Sequence, residues 1–228
     1  MRTITVSILA IVLAVSAVTA GDGDVYEVTI TNLTRGQSFT PILTASHRGG
    51  VGLFAVGEPA SPELATLAEG GDVGPLTTLL LDDPRVIDVN ASEGLLGPGE
   101  SVTVIVAAGR KSGRISVASM LIPTNDGFFG LNGVPAPGGK RTLVYRSPAY
   151  DAGSEPNDEL CAFIPGPVCG GEGTSPGVGG EGSVHVHAGI HGIGDLDPSE
   201  RDWRNPVAQI TVRRVAGDDD EDHDDRNR

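Results

Sequence analysis

Alternation of apolar and polar positions is the clearest signal along the chain. In "DVYEVTITNLT", Val25, Glu27 and Thr29 fall on one side and Tyr26, Val28 and Ile30 on the other, the period-two pattern of a half-buried strand. "NPVAQITVRRV" repeats it, with Val207, Gln209 and Thr211 opposite Ala208, Ile210 and Val212. Between them "TPILTASHRGG" and "VGLFAVGE" read as two strands around a Gly-Gly turn, and "RVIDVNA", "ESVTVIVAAG", "GRISVASMLIP", "RTLVYRS" and "SVHVHAGIH" as further strands. The period changes once, in "SPELATLAEGGDVGPLTTLLLDD". There Ser61 reads as an N-cap followed by Pro62 and Glu63, with apolar groups at Leu64, Leu67, Leu76, Leu79 and Leu80. This predicts one or two short inserted helices covering one end of the fold. About eight short strands with a turn signal roughly every ten residues predict an all-β antiparallel sandwich.

Both ends of the 228-residue chain depart from this pattern. Residues 1–20, "MRTITVSILAIVLAVSAVTA", have the basic start, apolar run and small-residue finish of a secretory signal peptide, with cleavage expected after Ala20. No later segment is apolar enough to span a bilayer, so the mature protein is expected to be secreted, periplasmic or on the cell surface. Residues 217–228, "GDDDEDHDDRNR", hold seven acids and nothing to bury, and are expected to form a solvated acidic tail. The folded domain is therefore expected over residues 21–216.

The formal net charge of −14 argues against a nucleic-acid partner, because binding phosphate needs a basic face. Glycine, at 33 residues, favours tight turns over long helices. Cys161 and Cys169 are the only cysteines, and in an exported chain a disulfide closing that short loop is the expected state. The sole tryptophan, Trp203, reads as a packing anchor near the last strand.

Two stretches could carry chemistry. "AYDAGSEPNDEL", residues 149–160, crowds four acids into a turn-rich segment, which is either bathed in water or wrapped around a cation. In "SVHVHAGIH", His185 and His187 point to one face of a strand and His191 follows, so these three, with or without His47, form an alternative zinc or copper site. In the plainer alternative, these imidazoles bond to loop carbonyls or to Asp195 and Asp197, or face water. No nucleophile elbow, zinc-protease helix motif or phosphate-binding loop is present.

Taken in order, "YEVTITNLT", "ASHRGGVGLFAVGEPASPELATLAEGGD", "SVASMLIPTNDGFFGL", "AYDAGSEPNDE" and "GDLDPSERDWRNPVAQITVRRV" resemble the spondin N-type domain. This is the module of extracellular spondins and mindins, also found as stand-alone secreted bacterial proteins. The resemblance implies a C2-like β-sandwich that binds rather than catalyses. It also implies a calcium ion held by acidic loop residues, which fall here on Asp126, Asp151 and Glu155. Glu155 stands where the animal pattern has Asp; Asp158 and Glu159 are extra candidate ligands. The partner implied is an extracellular protein or polysaccharide, bound in an adhesive role.

Overall fold

The structure is a computed structural model describing residues 24–108, 113–174 and 179–215. The expected signal peptide and acidic tail lie outside these residues. In chain order the strands begin β1 (Asp24–Asn32), β2 (Ser38–Phe39), β3 (Leu43–His47), β4 (Val86–Ala91), β5 (Ser101–Ala108) and β6 (Arg114–Ile122). They continue with β7 (Gly127–Pro135), β8 (Thr142–Ser147), β9 (Ala149–Asp151), β10 (His185–Val186) and β11 (Ala208–Val215). The helices are α1 (Pro62–Gly70), α2 (Gly74–Leu81) and two single turns, α3 (Gly166–Cys169) and α4 (Pro198–Arg201).

The strands make two antiparallel sheets, one ordered β5-β1-β11-β8 and a larger one ordered β10-β9-β7-β6-β3-β4, with β2 pairing β6. The all-β sandwich is as expected, with eleven strands among the described residues. β1 and β11 keep the alternation seen in the sequence: Tyr26, Val28, Ile30, Ala208, Ile210 and Val212 are buried, and the residues between them are half-exposed or exposed.

Every residue of β6 after Arg114 is buried, so both faces of the larger sheet are covered. One face meets the smaller sheet in a core containing Ile30, Phe39, Val117, Leu121, Phe129 and Ile210. Leu64, Leu67, Leu76 and Leu80 of α1 and α2 pack on the other face against Leu43, Ala118 and Phe128. The helices therefore form a third layer over a sheet face rather than covering one end. Ser61 caps α1 as expected, its Oγ accepting from Leu64 N at 3.2 Å.

Two strand expectations need correction. "VGLFAVGE" is a loop; its apolar residues pack without joining a ladder, Phe54 sitting edge-on to Phe128 at 5.2 Å. In "SVHVHAGIH" only His185 and Val186 pair, because β9 beside them is three residues long. β7 went unread as a strand because glycine at 127, 130 and 133 signals turns, yet Gly130 is there for space: a Cβ would lie 2.9 Å from both Phe54 Cε1 and Val117 O. Cys161 and Cys169 are bonded at 2.06 Å, as expected, and Trp203 is buried in the inter-sheet core.

Phe129 is wholly buried, with its ring 4.4 Å from that of Phe39. Phe129→Ala leaves a cavity between the sheets and is expected to cost about 3–5 kcal/mol in urea unfolding. A loss below about 1 kcal/mol would mean the sheets are not packed through this pair.

Candidate functional site

The β6–β7 hairpin closes through Thr124, whose Oγ1 donates to Leu121 O at 2.5 Å and accepts from Gly127 N at 3.0 Å. This turn holds Asp126 inward at the start of β7, fully buried. Position 127 must be glycine, since a Cβ would lie 2.7 Å from Thr124 Oγ1 and 3.1 Å from His187 Cδ2.

β9 runs beside β7 with Gly127 opposite Asp151, so a second fully buried carboxylate arrives next to the first. The chain then turns sharply at Gly153. Its φ of +67° is left-handed, and a Cβ would lie 2.5 Å from Ser183 O. That turn aims two amides back at Asp126: Oδ2 accepts from Ser154 N at 2.8 Å, Glu155 N at 3.0 Å and Ser154 Oγ at 3.2 Å. Asp151 Oδ1 accepts from Gly153 N at 2.7 Å, and Oδ2 from Asn157 Nδ2 at 2.5 Å.

Asp126 Oδ1 is the exception, being buried without a hydrogen-bond partner. Burial, and then the charge of Asp151, push the Asp126 carboxyl up to about 7. Burial also raises Asp151, with Asn157 and Gly153 pulling it the other way. His185 Nδ1 lies 3.8 Å from Asp151 Oδ1 and 2.9 Å from Ser183 O; first that carbonyl, then the neighbouring acids, raise its pKa.

The expected ligands behave differently from one another. Asp126 and Asp151 are brought side by side. Glu155 is buried on the same turn and supplies its amide to Asp126. Glu159 is a brace instead: its Oε1 accepts from His191 N at 2.6 Å and its Oε2 from Gly192 N and Ile193 N at 2.7 and 3.0 Å. Asp158 Oδ1 accepts from Asn125 Nδ2 at 3.0 Å and Leu160 N at 2.9 Å. Among the described residues, no group of three or more His, Cys, Asp or Glu side chains is already placed to hold a metal ion. The oxygen-rich Asp126–Asp151 pair, with an unpartnered buried oxygen, does match the donors a hard cation takes.

His185, His187 and His191 lie near one another, and His47 stands apart from them. His47 lies at the far end of the larger sheet, beside Gly133, with Ser116 Oγ and Arg48 O on its two ring nitrogens. His191 Nε2 is 3.4 Å from Ala188 O. His187 Nδ1 accepts from Gly189 N at 3.0 Å, and its ring packs on Trp203 at 5.0 Å. Burial, followed by the charges of His185 and His191, drives its pKa down to about 4, so it is a neutral ring at pH 7. His187 and His191 line a cleft of about 520 Å³ with Asp202, Trp203 and Arg204.

Asn157 and Gly153 were not singled out in the sequence; polar and turn-forming, they signal loop but not which carboxylate they serve. Asn32-Leu33-Thr34 and Asn90-Ala91-Ser92 have the Asn-x-Ser/Thr pattern of glycosylation sequons; Asn32 is buried, with Nδ2 bonded to Gln37 O and Leu96 O, while Asn90 is exposed.

A two-sheet sandwich with a buried acidic turn at one end is the class of protein this geometry defines. Residues 31–136, just under half of the chain, match the family model described as Spondin_N, which supports the resemblance to the spondin N-type domain. No curated protein matches it. No helix among the described residues is long and apolar enough to cross a membrane.

The Asp126 and His187 shifts act on stability in opposite directions. Asp126 titrates near 7 when folded against an ordinary 3.8, so its contribution is full at acid pH and is lost as pH rises through 7. His187 titrates near 4 when folded against 6.5, so its contribution is full above 6.5 and is lost as pH falls towards 4. Comparing Asp126→Asn with the parent in chelator isolates the first. The variant's thermal midpoint should gain on the parent's between pH 5 and pH 8; a constant difference would mean Asp126 is ionised throughout.

Proposed function

We propose that the protein is an exported, non-catalytic binding module whose loop end is rigidified by calcium held by Asp126, Asp151 and Glu155. The observation that carries this reading is the unpartnered Oδ1 of Asp126, buried beside a second buried carboxylate. Two such groups repel unless one is protonated or a cation joins them. Carboxylate oxygens suit calcium, whose six to eight ligands are completed by main-chain carbonyls and water, whereas imidazoles suit zinc or copper. Glu155, one methylene longer than Asp, reaches further and changes the fit more than the charge.

The ion supplies positive charge where the chain has gathered negative charge. The protein's part is to hold the β6–β7 turn and the Gly153 turn together and to keep water from the Asp126 side. With both turns fixed, the loop end presents a defined surface to an extracellular protein or polysaccharide, in the adhesive role expected of the family.

Calorimetric titration of the chelator-treated mature protein tests this. One calcium per chain is expected, with a dissociation constant of roughly 10⁻⁴–10⁻³ M, the range of extracellular modules. Asp126→Asn with Asp151→Asn should weaken binding at least about tenfold, because ligand charge count sets the affinity. Absence of binding up to about 10 mM calcium, beyond that range, would refute the reading.

A further inference from the structure

The opposite end of the sandwich carries the opposite charge. β7 separates the two ends by nine residues, about 30 Å. At this far end β1 begins opposite Ala108 and Val215, β6 begins opposite Pro135, and β8 begins opposite Arg213. The connection from β7 to β8 crosses from one sheet to the other over Tyr26, whose hydroxyl donates to Pro137 O at 3.0 Å. A cleft of about 520 Å³ lies there between Tyr26, Gly49, Arg114 and Pro137.

Four of the acids at this end are engaged, while Asp82 is exposed beside Gly50 with no ion pair among the described residues. Asp24 pairs with Arg214 at 2.8 Å, Glu27 pairs with Arg213, Asp83 pairs with Arg85 at 2.6 Å, and Asp88 accepts from Ala107 N at 2.8 Å. Arg48, Arg114, Lys140 and Arg141 are exposed and form no ion pair among the described residues. They leave surplus positive charge on a protein whose formal net charge is −14.

β11 ends at this same place, at Val215, and the acidic run Asp218–Asp225 follows three residues later. At about 3.3–3.6 Å per extended residue, its first acid is within about 10 Å of Val215 and its last within about 35 Å. Its seven acids repel one another, and the nearest surplus charge they can reach is cationic. Being tethered, they meet it at an effective concentration in the millimolar range.

We propose that the acidic run 218–225 docks in cis on the basic end, recognised by Arg48, Arg114, Lys140 and Arg141. The docked run is the resident polyanion of this face and neutralises it. The acidic turn at the other end, more than a Debye length away, keeps its own charge.

Zero-length carbodiimide coupling of the full-length mature protein, followed by peptide mapping, tests this directly, because it joins a carboxylate to an amine only when they touch. At low salt, a link from Lys140 to the 218–225 run is expected in monomeric protein, independent of protein concentration. At about 1 M salt, where screening acts within about 3 Å, the yield should fall at least fivefold. The combined variant Arg48→Gln, Arg114→Gln and Arg141→Gln should show the same drop at low salt, with an unchanged thermal midpoint. The proposal is overturned if Lys140 couples only to acids of the fold, if the link forms only between molecules, or if its yield survives both salt and the variant.

Discussion

Carboxylates removed from water have to be met by donors, by a proton or by a cation, and the loop end of this sandwich is organised by that demand. Main-chain amides meet most of it. Three consecutive amides, from His191 to Ile193, close on Glu159, and the amides of Ser154 and Glu155 close on one oxygen of Asp126. Glu159 is thereby balanced and acts as a fastener between two loops. Asp126 is balanced on one oxygen only, and that asymmetry distinguishes it from Glu159, both of whose oxygens are met by amides.

Aiming amides at carboxylates requires tight backbone, which accounts for glycine where side chains would obstruct. Gly153 turns left-handed to present the two amides, and the glycine-rich stretch after the disulfide passes so close that a Cβ on Gly180 would lie 2.4 Å from Gly153 O. The rigidity behind this comes from β6. Strands buried on both faces are held by packing on each side, and the Asp126 turn grows directly out of the end of β6. An acid carried on a mobile loop could relax towards water; this one is held in place by the sheet.

Much of the fold was legible because period-two burial is a local property. β1 and β11 each have one wet face, and their residues say so; α1 announces itself through Ser61. Tertiary choices were not legible. Nothing in "VGLFAVGE" tells a strand from a loop whose Phe54 packs edge-on against Phe128, and the glycines of β7 look like turns until Phe54 and Val117 are seen to need the space at Gly130 and Thr124 and His187 the space at Gly127. The placement of the helices over a face, instead of at an end, depends on which strand is buried twice. At the site, the acids were readable as a crowded turn, and the resemblance chose Asp126, Asp151 and Glu155 among them. Which amide meets which oxygen depends on contacts between segments about thirty residues apart, so the division of labour between Asp126 and Glu159 emerged only in three dimensions.

The family match ends at residue 136, just after β7, and that boundary cuts through the site. Asp126 lies inside it, while Asp151, the Gly153 turn, Glu155, Glu159 and His187 lie beyond. The matched stretch cannot form the sandwich alone. All but the last two residues of β1 precede it, β11 follows it, β7 needs β9, and the inter-sheet core takes Ala149, Trp203, Val207, Ile210 and Val212 from the later residues. Burial of Asp126 is therefore a property of the whole domain: the first half supplies the carboxylate, and the second half supplies its neighbour, its donors and the cover that keeps water away. The charge of Asp126 is adjusted from the second half, because Asp151, Ser154 and Glu155, which act on it, all lie there, while the Thr124 turn that positions it lies in the first.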